Sequence, residues 1–346
     1  MSRRLVIALA VVAILLAALI SYYTVMMFSK PSRELIVFCA GSLKVPLTRL
    51  ARMFEEKYHV RVYIEASGSV DAVRKIIDLG RRCDVLALAD YRLVPMYMFP
   101  KYASWVLKFA ANRIVLAYTS HSKYHEELEL GRLKWYQVLM MPGVRYGFSN
   151  PNRDPCGYRS IGVLALASMY YGNRSILERL VEHNLQGVRV VYEDNGTIIV
   201  YVSASITPRD GLVIRPKSVA LLSLLESGVL DYAFEYESVA KQHGLKYVVL
   251  PDEVNLGDPS KASFYSRVIV YINVGTPEER AIRMAPIVYG LTIPSNAPHP
   301  KLAREFILFL LHEGPRVFSE CGQRFLNPPE VVGSAPSWLK EALSRG

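Results

Sequence analysis

The stretch Leu35-Ile36-Val37-Phe38-Cys39-Ala40-Gly41-Ser42-Leu43 holds a strand, a tight turn and the start of a helix. Its apolar run, rich in β-branched and aromatic side chains, reads as a buried strand. Small residues end it, and Leu43, Leu47, Leu50 and Phe54 then recur at helical spacing, predicting a helix that buries one stripe. The unit then repeats. Val60 to Ile64 is a second strand, Glu65-Ala66-Ser67-Gly68-Ser69 a second small turn, and Val70, Val73, Ile76 and Ile77 mark a helix closed by Gly80. Cys83 to Ala89 is a third strand. Strands alternating with helices predict a parallel sheet of the α/β class.

The rhythm continues outward. Ile114–Tyr118 and Val144–Phe148 read as strands, and a Leu- and Ala-rich helix runs from about Tyr158 to Tyr171. Val188 to Val202 reads as a hairpin turning at Asp194-Asn195-Gly196, because Asn-Gly suits the positive φ angles of a tight turn. Leu212–Ile214, Asp231–Tyr236, Lys246–Leu250, Val268–Ile272 and Ile287–Ile293 are further strands; Ser218–Glu226 and Leu302–Leu311 are helices. No internal repeat or long linker is legible. With 346 residues, the chain has material for two lobes, each with its own core.

Composition removes several classes. At 51% hydrophobic and 21% charged the chain is not a disordered one, and four cysteines are too few for a disulfide scaffold. The net charge of +10 allows a polyanionic partner. No basic run or interleaved aromatic stripe points to nucleic acid, so a solvated basic face, toward anionic headgroups, is the simpler reading. Cys39, Cys83, Cys156 and Cys321 show no close pair, and His121 and His125 lie in a Ser/Tyr/Glu-rich surface stretch, so no zinc site is expected.

After Arg3 and Arg4 the chain carries no charge from Leu5 to Phe28. As a helix this reaches about 36 Å, enough to cross a hydrocarbon core of about 30 Å. It exceeds the roughly 7–15 apolar residues of an ordinary signal peptide. Residues 1–31 are therefore expected to be a signal peptide or membrane anchor, and the basic pair puts the body outside the cytoplasm.

Three turns end strands and open helices with a serine: Ala40-Gly41-Ser42, Ser67-Gly68-Ser69 and Arg215-Pro216-Lys217-Ser218. A capping serine there leaves the free N–H groups of a first helical turn, and the positive end of the dipole, facing an oxyanion. Glycine before the serine lets the backbone approach a ligand closely. Open α/β sheets bind ligands at the carboxyl ends of their strands. Asp154-Pro155-Cys156-Gly157 differs. Asp154 either caps the following helix or, if it faces the anion, demands a central atom able to accept a carboxylate. Tungsten(VI) and molybdenum(VI) can expand from four oxygen neighbours to six, which sulfur and phosphorus do not readily do.

These segments together resemble the tungstate/molybdate-binding protein family, the solute receptors of ABC importers. The resemblance spans about Leu35 to Gln323. It rests on Ala40-Gly41-Ser42-Leu43, Ala66-Ser67-Gly68-Ser69-Val70, Tyr146-Gly147-Phe148-Ser149-Asn150-Pro151, Asp154-Pro155-Cys156-Gly157-Tyr158-Arg159-Ser160 and Ile214-Arg215-Pro216-Lys217. It continues through Asp231 to Tyr236, Ser238 to Leu245 and Pro286 to Gly290.

The resemblance implies a two-lobed, periplasmic-binding-protein-like α/β fold of type II with the oxyanion between the lobes. Residues 32–113 would form the first part of lobe 1, 114–285 lobe 2 with crossing segments at its ends, and 286–346 the return to lobe 1. Gly41, Ser42 and Ser69 would contact the ligand from lobe 1. Asp154, the Pro155-Cys156 backbone, Ser218 and the Tyr236 hydroxyl would face them. Asp154 would bind the metal with a second carboxylate, for which Glu235 is the nearby candidate; strand alternation argues against it, and one alignment points to Ser218 instead. The implied function is extracytoplasmic capture of tungstate or molybdate for a membrane permease, with no cofactor and no catalysis. The alternatives are a receptor for sulfate or phosphate, or a secreted hydrolase using Ser42 or Ser69.

Overall fold

A computed structural model describes residues 13–21 and 34–344. The segment 1–31, expected to be a leader or anchor, lies largely outside the described residues. Within them no helix is long and apolar enough to cross a membrane. Fifteen strands form three sheets among the described residues.

The first sheet contains β1 (Glu34–Ala40), β2 (Arg61–Ser67), β3 (Val85–Leu88), β4 (Trp105–Asn112), β14 (Ile287–Thr292) and β15 (Arg324–Gly333), in the order β15-β4-β14-β3-β1-β2. The second contains β5 (Ile114–Tyr118), β6 (Tyr146–Ser149), β9 (Leu212–Arg215), β10 (Tyr232–Tyr236) and β11 (Lys246–Val249), in the order β11-β5-β10-β6-β9. The hairpin of β7 (Leu185–Tyr192) and β8 (Ile198–Pro208) joins β12 (Val268–Val274) and β13 (Arg280–Arg283) in a third sheet.

The first two sheets share one plan. In each, parallel strands form the middle, and the strand that has just crossed from the other half enters antiparallel beside them: β14 next to β3, and β5 next to β10. The chain crosses between the halves twice, at Asn112–Ile114 and Arg283–Ile287. This α/β arrangement with two crossings is the type II receptor architecture.

Packing follows the sequence pattern. The helix Lys44–Tyr58 buries Leu47, Leu50, Ala51 and Phe54, and Phe54 meets Phe306 and Phe309 edge-on at 5.2 and 5.4 Å. Edge-to-face rings of this kind add about 1 kcal/mol beyond their buried area. The partner helix runs Pro300–Glu320, further than Leu311, and passes through Pro315. A proline removes one helical hydrogen bond, but beyond it Val317 and Phe318 are fully buried, and Phe318 packs edge-on against Phe109 and Phe325.

β4, β13 and β15 were not legible. Lys108 interrupts β4 but pairs with Glu330 of the neighbouring strand. Pro328 and Pro329 argue against a strand, yet β15 lies at a sheet edge and shifts register between Phe325 and Glu330, where missing N–H groups cost no ladder bond.

Candidate functional site

The serine turns lie at strand ends, as expected, but the serines are not helix caps. Ser69 follows the N-cap Gly68 and Ser218 follows the N-cap Lys217; Ser42 sits inside a single 3₁₀ turn. A hydroxyl one residue inside the turn cannot reach back to its own helix's free N–H groups, so it pairs elsewhere. The Ser69 Oγ accepts from the Ala89 N–H at 3.0 Å, and the Ser42 Oγ accepts from the Tyr289 hydroxyl at 3.2 Å. Asp154 is the N-cap of the helix Pro155–Tyr170, yet its carboxylate makes no cap bond there. Its Oδ2 accepts instead from the Ser218 N–H at 3.2 Å.

The strand plan places these residues in pairs. Ser42, Ser69 and Asp90 follow β1, β2 and β3; Asp154, Ser218 and Glu237 follow the corresponding β6, β9 and β10, with Tyr236 ending β10. Carboxyl ends from both sheets therefore face one another. The two halves touch there. The Val70 N–H donates to the Arg153 carbonyl at 3.1 Å, and Arg153 forms an ion pair with Asp71 at 2.8 Å. A Cβ on Gly68 would lie 2.4 Å from the Arg153 carbonyl oxygen, and one on Gly41 would lie 2.9 Å from a Val219 methyl. Glycine at both positions is required by this close approach.

All the side chains at issue are buried: Ser42, Ser69, Asp154, Ser218, Glu235 and Tyr236. Cys156 is buried as well, but its thiol donates to the Phe234 carbonyl at 3.6 Å within the core, so only its backbone and that of Pro155 are available. Glu235 is the penultimate residue of β10, paired with Val115 of β5. Its Oε1 accepts from the Tyr236 N–H at 2.8 Å, and its Oε2 has no partner among the described residues.

The electrostatics of the two carboxylates are coupled. Burial pushes Asp154 up to about 6, opposed by Ser149, the Ser218 N–H and the Arg159 charge. Burial pushes Glu235 up to about 8, opposed by the Tyr236 N–H and Ser218 and reinforced by the charge of Asp154. A proton is thus retained on Glu235 near neutrality, as expected for neighbouring buried acids that both resist ionisation.

The hydroxyls have a common polarity. The Arg113 N–H fixes the Asn112 amide oxygen at 3.0 Å, so the Asn112 Nδ2 donates to Tyr289 at 3.1 Å and Tyr289 donates onward to Ser42. Ser69 accepts from Ala89, and Tyr236 accepts from Arg159 at 2.8 Å. Each oxygen already accepts from the protein, so each hydroxyl proton is directed to a further acceptor. Three hydroxyls free to donate suit a fully ionised oxyanion.

Sequence reading missed Arg159, Asp90, Tyr158, Tyr289 and Asn112. Arg159 is 1% exposed, and its Nη2 lies 3.2 Å from the Asp90 Oδ2, which also accepts from Tyr158 at 2.9 Å. Burial alone would raise the Asp90 carboxyl, but the Arg92 and Arg159 charges hold it well below the usual carboxylate range. The available signal was a lone charge in an otherwise apolar helix, since an arginine there must be paired.

Among the described residues, Ser42 is hydrogen-bonded to Tyr289 and Ser69 to Ala89. The four cysteines are free and buried, and no cluster of metal-ligating side chains occurs among the described residues.

Two lobes built on one plan of middle strands, meeting at strand ends over buried donors and acids, define a solute receptor of the periplasmic-binding type. Residues 35–324 match the family model described as bacterial extracellular solute-binding protein, and the chain belongs to that family. A solute-binding protein of Staphylothermus marinus is 49% identical over 335 residues, 96% of this chain and 95% of its own. The molybdate/tungstate-binding protein WtpA of Pyrococcus abyssi is 46% identical over 314 residues, 89% of each chain. Among solved structures, the Azotobacter vinelandii periplasmic molybdate-binding protein is similar with a TM-score of 0.54 at 17% identity, covering 84% of this chain and 98% of that one. At that identity the likeness concerns the fold alone.

Proposed function

We propose that this receptor captures tungstate or molybdate outside the cytoplasm and delivers it to the membrane permease of an ABC importer. Lobe 1 comprises residues 32–113 and 286–346, lobe 2 residues 114–285, and the oxyanion is held between them. The observation that carries this reading is the pair of buried acids, Asp154 and Glu235, beside three hydroxyls turned as donors. Two ionised acids would repel sulfate or phosphate, whose central atoms do not readily take extra oxygens. Tungsten(VI) and molybdenum(VI) accept them, so the acids become ligands of the metal rather than obstacles. The name of the Pyrococcus abyssi relative supports the same ligand class.

In this reading Ser42, Ser69 and Tyr236 donate to ligand oxygens, helped by first-turn N–H groups at Gly41, Ser42 and Cys156, while Asp154 and Glu235 complete six-oxygen coordination. Ser218 orients Asp154 through its N–H. Residues 1–31 export the body or anchor it to the membrane. Calorimetric titration with tungstate, molybdate, sulfate and phosphate tests the reading. Tight binding of the first two with weak or absent binding of the others is expected; sulfate displacing tungstate at comparable concentration would overturn it.

A further inference from the structure

We propose that Arg159 is a positioning residue that couples ligand capture to closure of the lobes; this rests on the reading of the site given above. Arg159 belongs to the lobe 2 helix Pro155–Tyr170 but reaches two residues of lobe 1. Its Nη2 forms the ion pair with Asp90, just beyond β3, and its Nη1 donates to the Ala89 carbonyl at 2.7 Å. The same Nη1 donates to the Tyr236 hydroxyl at 2.8 Å. One guanidinium therefore fixes the phenol that would face the ligand and the lobe 1 segment behind it.

Ala89 extends the link. Its carbonyl accepts from Arg159, while its N–H donates to the Ser69 hydroxyl at 3.0 Å. Through a single residue, the arginine that aims the Tyr236 proton is joined to the residue that aims the Ser69 proton. Opening the lobes separates Arg159 from the Ala89 carbonyl and from Asp90, so the segment that carries the Ser69 partner loses its tie to lobe 2. With the lobes apart, lobe 2 also loses the carboxylate that balances its buried charge. A ligand that engages both hydroxyls thus favours the closed arrangement, and only closure brings both donors to one ligand. The planar fork of arginine is needed, because a lysine ammonium cannot span Asp90, Ala89 and Tyr236 in one geometry.

The test uses the mature body of wild type, Arg159→Lys, Tyr236→Phe and the double variant. Tungstate affinity is measured by calorimetry, and closure by the change in small-angle scattering radius on adding tungstate. Arg159→Lys is expected to weaken tungstate about 10- to 100-fold, the usual effect of losing an outer-shell partner, and to reduce the ligand-induced compaction. In the Tyr236→Phe background the same substitution should cost less affinity, because the phenol it positions is gone, while the loss of compaction through Asp90 and Ala89 persists. A purely structural role would give equal affinity losses in both backgrounds and would overturn the proposal. So would unchanged affinity and compaction in Arg159→Lys while wild type binds. Failure of wild type to bind tungstate would instead remove the ligand reading, and this proposal with it. Should Arg159→Lys not fold, Asp90→Asn carries the test: weaker tungstate binding and less compaction support the coupling, and wild-type values for both overturn it.

Discussion

Raising the pH should tighten tungstate binding steeply, and Glu235 is the reason. In the ligand-free protein burial holds this carboxyl near 8 and Asp154 near 6. A carboxylate must lose its proton before it can bind a metal centre, so binding releases that proton and affinity follows the ionised fraction. With a pKa of about 8, about 1% of Glu235 is ionised at pH 6, a tenth at pH 7 and half at pH 8. Affinity should therefore rise roughly 50-fold from pH 6 to pH 8, and by about a further factor of two from Asp154. At pH 7 the penalty is about one unit, or about 1.4 kcal/mol. Calorimetry with micromolar tungstate in buffers of different ionisation enthalpy reads both affinity and proton release, and close to one proton per ligand is expected at pH 7. Glu235→Gln should weaken binding and flatten most of the pH dependence. Affinity that stays level or falls between pH 6 and pH 8 would refute the reasoning, since a neutral acid donating to a ligand oxygen would give the opposite slope.

Further outcomes follow from the same geometry. Because the folded pKa of Glu235 is raised, its contribution to stability is full below about 4.5 and is lost as pH rises through about 8; the thermal unfolding midpoint of the ligand-free protein should fall over that window, and Glu235→Gln should flatten the fall. Gly68→Ala places a Cβ against the Arg153 carbonyl and should block closure, seen as lost tungstate-induced compaction with an unchanged unfolding midpoint for the ligand-free protein. Tyr289→Phe removes the donor to Ser42 and should weaken tungstate up to about tenfold, the equivalent of one hydrogen bond of about 1.4 kcal/mol, as read by calorimetry.

Much of the fold was legible because the strands around Val37 and Leu86 are continuous apolar runs bounded by small turns. The candidate serines were found because they sit at those ends. The shared plan of the two main sheets was not legible: it lies in strand order, and β14 and β5 enter their sheets only after a crossing that leaves no local signature. β4 was hidden by Lys108, whose charge is tolerated because Glu330 pairs with it across the ladder. Helix capping by the serines was misread, since Ser69 has the residue type of a cap but accepts from Ala89, while Asp154, left open between cap and site, accepts from Ser218. Arg159 stood in the quoted motif without a role, because its partner Asp90 is 69 positions away in sequence and the pairing exists only once the lobes meet. Long-range polar networks have no periodicity, so hydrophobic patterning does not report them.

The coordination number of tungsten in the complex tests the central claim most directly. X-ray absorption at the tungsten edge of the tungstate-loaded protein should show six oxygen neighbours, two of them longer and lost in part in Glu235→Gln. Four equivalent oxygens, unchanged in that variant, would contradict the assignment of Asp154 and Glu235 as metal ligands.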